Sequence, residues 1–304
     1  PNIDAAIASF VPPLGVQQVD VARAIVAVHN EHKPSEKPIL AVLMGRHGFP
    51  EGRAELNEAG VPGYIFPESA ARALAALVRY RQWLETPVSE PTRFPADEAR
   101  ARTILEGVLA DGRTRLKEHE ALDLLDSYGI PVVKHRMATT HAEARSAAEA
   151  CGYPVVLKAV AAGVIHKSDV GAVRVDIRTP EELDAAFGDM VRRMGEADLD
   201  LEGILVEKFV SGGRETIIGM TTDPSVGPIL MFGVGGIYVE ALKDVAFRLA
   251  PVNEHDAREM LHSIRGARLL EEYRGGAVDR EAMVEAIQRV SQLVCDHPEI
   301  AEMD

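Results

Sequence analysis

Residues 154–177 read PVVLKAVAAGVIHKSDVGAVRVDI. Val155, Val156 and Leu157 run into Lys158 as a continuous apolar stretch, the pattern of a buried strand, and AVRVDI has the partial alternation of an antiparallel partner. Between the two strands, the small residues Ala161, Ala162, Gly163 and Gly171 surround four consecutive polar ones, His166 to Asp169. Taken alone, that run is open to two accounts: a solvated turn, or a phosphate-handling loop in which His166 does chemistry. A lysine closing a buried strand either snorkels to solvent or projects its ammonium into a cleft. Small residues would let main-chain N–H groups approach a polyphosphate closely. The chain contains no GxxxxGK[ST], so a Walker-type site is excluded.

The segments around this strand pair alternate in period. LKEHEALDLLDSYGIP predicts an amphipathic helix stopped by Gly129 and Pro131, and VVKHRMA a strand. Two helices start with capping boxes, Thr140 with Glu143 and Thr179 with Glu182, the second carrying Pro180 at its first position. GILVEKFV, RETIIGMTTD, PILMFGV and FRLAPV predict four more strands, and two helices follow over roughly 253–264 and 279–296. Mixed strands with interleaved helices make residues 113–304 an α+β domain in two lobes.

Upstream the pattern is α/β. KPILAVLM over residues 37–44 is a continuous apolar run of the buried parallel type. It is followed by a short helix closed at Gly60, a strand VPGYIF, and a helix beginning at Pro67, with another helix at 19–29 before it. Residues 1–84 therefore predict the end of a flavodoxin-like parallel-sheet domain. Pro87, Pro91 and Pro95 in a polar stretch make residues 85–112 a linker or arm, whose helix at 97–110 could pack on either neighbour.

The chain has 304 residues, so two domains are expected. Its formal net charge of −14 argues against nucleic acid as a partner but not against an anionic nucleotide, since local cations can outweigh the global field. Two cysteines, Cys151 and Cys295, form no disulfide framework or zinc pattern, and both are expected to face the core. No apolar run reaches the ~20 residues of a membrane span, and a cytoplasmic setting fits best. Pro1 and the closing IAEMD are expected to be cuts through the ordinary structure of a longer protein.

Two further stretches carry candidate site residues. In LVEKFVSGGRETIIGM, residues 205–220, Glu207 ends an apolar strand before Phe209 and Val210, an edge suited to reading a purine. Glu215 follows the chain reversal that Gly212 and Gly213 permit. The alternative is a hairpin with two solvated glutamates. In MFGVGGIYVEALKDVAFRLAP, residues 231–251, Gly233, Gly235 and Gly236 lack the helix start of a Rossmann turn. They are read as letting a backbone pass close to a ligand, with Glu240, Asp244 and Arg248 as polar candidates beyond.

These motifs resemble, collinearly over residues 113–304, the ATP-grasp half of the NDP-forming acyl-CoA synthetases, relatives of succinyl-CoA synthetase. The carrying residues are PVVLKAV, VIHKSDVGAV, LVEKFVSGGRETIIG, GPILMFGVGGIYVE and FRLAP; FPESAARALAALVRY resembles the last flavodoxin-like subdomain of the family's CoA-ligase half. The resemblance implies an acid–CoA ligase that makes acyl-CoA, ADP and phosphate from a carboxylic acid, CoA and ATP, with Mg²⁺ on the phosphates. It makes Lys158 the phosphate ligand, Glu207, Phe209 and Val210 the adenine hinge, Glu215 part of the ribose–phosphate region, and Gly171 part of the nucleotide loop. His166 becomes a phosphoryl carrier, and a neutral imidazole is nucleophilic enough for that.

The resemblance also implies a first phosphoryl-accepting histidine and a CoA domain before residue 1, and metal ligands after residue 304, leaving these residues incompetent for the full reaction alone. His29, His32 and His47 lack the matching context. Remaining CoA-ligase domains, in the same or a partner chain, and an oligomer are expected as partners. Two rival functions stay open: a non-turnover ligand-sensing module of a fused acetyltransferase, and another ATP-grasp carboxylate ligase. Neither gives His166 a job.

Overall fold

The apolar run at residues 37–44 becomes the centre of a three-stranded parallel sheet with the order β1–β2–β3. The computed structural model describes residues 3–11, 15–33, 37–44, 51–86, 89–161, 172–235, 244–271 and 278–304. These divide into two units, Pro1–Val88 and Ser89–Asp304. The first unit runs β1 (Ala6–Phe10), α1 (Gln18–Glu31), β2 (Ile39–Leu43), α2 (Arg53–Ala59), β3 (Gly63–Tyr64) and α3 (Pro67–Glu85).

Residues 40–43 of β2 are all buried, and their alternation serves both faces of the sheet. Ala41 and Leu43 pack with Ala22, Leu56 and Val61, whereas Leu40 and Val42 pack with Ala70. Gly60 closes α2 at φ 78°, a conformation that favours glycine. Sequence reading missed β1: AIASF is short and half exposed, with no apolar run to mark it. The strand expected in VPGYIF shrinks to Gly63–Tyr64.

The second unit contains two four-stranded antiparallel sheets, β4–β7–β5–β6 and β10–β9–β8–β11. The first is built from β4 (His135–Ala138), α6 (His141–Cys151), β5 (Val155–Ala161), β6 (Val173–Ile177), α7 (Pro180–Glu196) and β7 (Leu201–Lys208). Its core lies under α6 and α7, where Ala144, Ala148, Phe187 and Met190 meet Val155, Leu157, Ile204 and Val206. The second comprises β8 (Thr216–Asp223), β9 (Gly227–Val234), β10 (Val245–Leu249) and β11 (Glu302–Met303), covered by α8 (Glu254–Ser263) and α9 (Arg280–Asp296).

The helix at 97–110 settles on the second sheet. It forms α4 (Glu98–Ala110), and its Ala101 and Leu105 enter the same core as Leu230, Phe232 and Leu293. The proline-rich arm before it is pinned there too. The Gln292 side chain accepts from the Phe94 N–H at 2.8 Å and donates to the Phe94 carbonyl at 3.0 Å. Next comes α5 (Glu118–Ser127), with Leu124 and the following Tyr128 in that same core.

Cys151 is buried as expected, but Cys295 is exposed. The preceding residues Ser291 to Val294 are all buried, and the next position in α9 turns outward. No helix among the described residues is long and apolar enough to cross a membrane.

Both expected capping residues bond the third residue of their helices. The Glu143 and Glu182 N–H groups donate to Thr140 and Thr179 Oγ1 at 3.2 Å. The reciprocal arm is displaced by one residue: the Glu143 carboxylate accepts from the Thr139 N–H and that of Glu182 from the Arg178 N–H, both at 2.7 Å. Thr179→Ala removes one of these acceptors and is expected to lower the unfolding free energy by about 1 kcal/mol in denaturant titration, with the slope unchanged.

Candidate nucleotide site

Strand register decides which side chains share a face of the first sheet. Val155, Leu157 and Ala159 of β5 point into the α6–α7 core, so Val156, Lys158 and Val160 point to the opposite side. Ile204 and Val206 of β7 join that core, leaving Leu205 and Glu207 opposite. Lys158 pairs with Leu205 and Val156 with Glu207, so Lys158 and Glu207 are diagonal neighbours on one face. Their side chains meet there, with Lys158 Nζ 2.7 Å from Glu207 Oε2.

A second carboxylate arrives from outside the sheet. Glu118 opens α5, and its Oε1 lies 2.5 Å from Lys158 Nζ. Next to it, Lys117 forms an ion pair with Glu202 at the start of β7. The body of α5 is rooted in the core of the second sheet while its first turn is tied to the first by these two ion pairs. Sequence reading missed Glu118, since an acidic residue in a first helical turn is accounted for by the helix dipole alone.

The electrostatics of the cluster favour a permanent cation. Burial works against the charged form of Lys158, but hydrogen bonds to Glu118 and Glu207 outweigh it and raise the lysine pKa. Of the three ammonium donors, these carboxylates engage two. Glu207 is only 5% exposed, and its Oε1 has no hydrogen-bond partner among the described residues. A buried carboxylate oxygen lacking a donor is costly, and a ligand N–H or O–H would satisfy it.

Beyond Glu207 the chain is held to its neighbours. The Lys208 N–H donates to the Lys134 carbonyl at 2.9 Å and the Phe209 N–H to the Pro154 carbonyl at 3.0 Å. Lys208 Nζ donates to the carbonyls of Gly152 and Tyr153 at 2.8 and 2.9 Å. The Phe209 amide therefore serves the strand junction, while Val210 beside it is exposed. Gly212 and Gly213 reverse the chain with φ of 76° and 84°, as their pairing in the sequence implied.

The remaining candidates lie apart from this cluster. Glu215 is exposed at the head of β8, and no hydrogen bond or ion pair joins it to Lys158 or Glu207 among the described residues. Gly235 donates its N–H to the Glu215 carbonyl at 2.8 Å. A Cβ there would stand 3.0 Å from the Glu215 backbone, and one at Gly233 would stand 2.9 Å from Val245 Cγ1. The close approaches that Gly233 and Gly235 permit are internal packing of the second sheet. Asp244 is likewise used by the fold, its carboxylate accepting from the Arg265 and Gly266 N–H groups at 2.7 and 2.6 Å. Arg248 Nη1 donates to the Phe247 carbonyl at 2.8 Å. His166, Gly171, Gly163, Gly236 and Glu240 lie outside the described residues.

A family profile described as an ATP-grasp domain matches residues 107–304. The ADP-forming 4-hydroxybutyrate–CoA ligase of Nitrosopumilus maritimus is 38% identical over 307 residues, 100% of this chain and 44% of that protein. The beta subunit of ADP-forming acetate–CoA ligase I from Pyrococcus furiosus is 43% identical over 209 residues, covering 68% of this chain and 90% of the subunit. Among solved structures, acetyl-coenzyme A synthetase 1 of Ca. Korarchaeum cryptofilum, in complex with coenzyme A and Mg-AMPPCP and with its phosphohistidine segment pointing towards the nucleotide binding site, matches with a TM-score of 0.60. Its identity is 40%, over 66% of this chain and 89% of that one. The chain spans less than half the length of the Nitrosopumilus ligase, 44% of it. Two antiparallel sheets, the first with a lysine and a glutamate from adjacent strands on one face, and these matches along both units place the chain in the ATP-grasp family of the ADP-forming acyl-CoA synthetases.

Proposed function

We propose that this chain supplies the nucleotide-handling part of an acid–CoA ligase that forms acyl-CoA, ADP and phosphate from a carboxylic acid, CoA and ATP, reversibly. The observation that carries the reading is the Lys158–Glu207 pair, whose buried Oε1 lacks a donor in a protein of this family. Lys158 would ligate the phosphates of ATP or ADP. Glu207 would accept a hydrogen from the adenosine moiety, with Phe209 and Val210 shaping the chain beside it. Glu215 would serve the ribose–phosphate region from the second sheet, and Gly171 would let the nucleotide loop approach the phosphates.

His166 would carry the phosphoryl group. Its neutral ring nitrogen attacks the γ-phosphorus, an N–P bond forms as the bond to the ADP oxygen breaks, and the ring loses its N–H proton to solvent. Mg²⁺ would neutralise phosphate charge during this step. No group of three acidic, histidine or cysteine side chains that could hold a metal occurs among the described residues. CoA and the acid would meet the phosphoryl group on further CoA-ligase domains, in the same or a partner chain, within an oligomer.

Incubation with γ-labelled ATP is expected to leave an acid-labile, base-stable label that His166→Ala loses; equal labelling of the two proteins rules the carrier role out. Steady-state ADP formation is then followed with candidate acids and CoA added; no turnover with any acid would point instead to a sensing module. Lys158→Ala removes a charge-assisted contact and is expected to weaken ATP binding about 10- to 100-fold by calorimetry. Unchanged affinity would remove Lys158 from the site.

A further inference from the structure

Lys158 sits between two carboxylates of unlike character. Glu207 is buried in the middle of the sheet, fixed by strand register as the lysine's diagonal neighbour. Glu118 approaches from a helix rooted in the other sheet, with its side chain 27% exposed. Both carboxylates occupy donors of one ammonium, and a polyphosphate brought to the same ammonium would meet them at close range. Glu207 is buried on a strand paired on both sides, whereas Glu118 stands in the first turn of a helix.

We propose that Glu118 is the resident counter-ion of the phosphate-binding lysine: its carboxylate holds the Lys158 donor that the nucleotide's polyphosphate takes, so binding exchanges one anion for another and unfastens α5 from β5. The inference rests on the reading of Lys158 as a phosphate ligand. It makes Glu118 an affinity-setting residue of the site, contributed by an element whose hydrophobic side belongs to the opposite lobe. The adjacent Lys117–Glu202 ion pair, attached to β7 at a distance from the ammonium, keeps the helix end near the first sheet when Glu118 lets go.

The test is calorimetric titration of the full chain with ATP and Mg²⁺, in the absence of acid and CoA. Glu118→Gln keeps the shape and removes the charge, and is expected to bind ATP roughly tenfold more tightly. Glu118→Ala, which removes the competing oxygen as well, is expected to tighten binding at least as much. Lys117→Met cuts the other ion pair of the junction and is expected to bind ATP no more tightly than the parent. Unchanged or weaker binding by both Glu118 variants overturns the inference and makes Glu118 a positioning residue for Lys158. Equal tightening in Lys117→Met also overturns it, because loosening the junction would then suffice. These outcomes differ from failure of the underlying reading, in which the parent binds no ATP or Lys158→Ala binds as well as the parent.

Discussion

A lysine ammonium on the inner part of a central strand is the constraint around which the second unit is organised. Burying a cation costs several kcal/mol unless it is paired and hydrogen-bonded, so Lys158 requires an anion at a defined point beside it. In an antiparallel sheet the side-chain period is two, and a slip of one residue between β5 and β7 would send Glu207 into the α6–α7 core. The pairing of Lys158 with Leu205 is the register that puts both charges on one face and all of Val155, Leu157, Ile204 and Val206 on the other. The hydrophobic core and the charged pair thus select the same alignment.

The second carboxylate extends this constraint beyond one lobe. Glu118 comes from a helix whose Leu124 packs with Leu230, Phe232 and Leu293 of the other sheet. The charged cluster on one sheet is therefore joined to a helix packed on the other. In the same helical turn, Glu120 points elsewhere. Its carboxylate is taken by both Arg113 guanidinium nitrogens at 2.8 Å and by the Lys117 N–H at 2.7 Å. Two acids two residues apart thus divide between capping the helix and reaching across the junction.

That division explains which parts were legible in the sequence. Helices announced themselves through local chemistry, as at Thr179, Pro180 and Gly60, where the cap or stop lies within a few residues of what it satisfies. Strands that are buried on both faces were equally plain, whereas the half-exposed β1 was not. Lys158 and Glu207 could be singled out because each ends an apolar run. Glu118 could not, since its partner stands 40 positions away and nothing in KEHE separates it from Glu120. Gly233 and Gly235 show the converse limit: a glycine marks a close approach without saying what approaches, and here it is the neighbouring strand.

The charge state of the cluster bears on where pH can act. The Lys158 pKa is raised by its carboxylate partners against the opposing effect of burial. A lysine shifted in this direction contributes stability that is fully present below its unfolded value of about 10.4, and loses it only as pH climbs through the folded value. Across the neutral range the ammonium keeps its charge, so it cannot account for any change in phosphate affinity there. His166, in its proposed role as phosphoryl carrier, would react through a neutral ring nitrogen. In the proposed reaction Lys158 would therefore present the nucleotide with the same charge throughout that range.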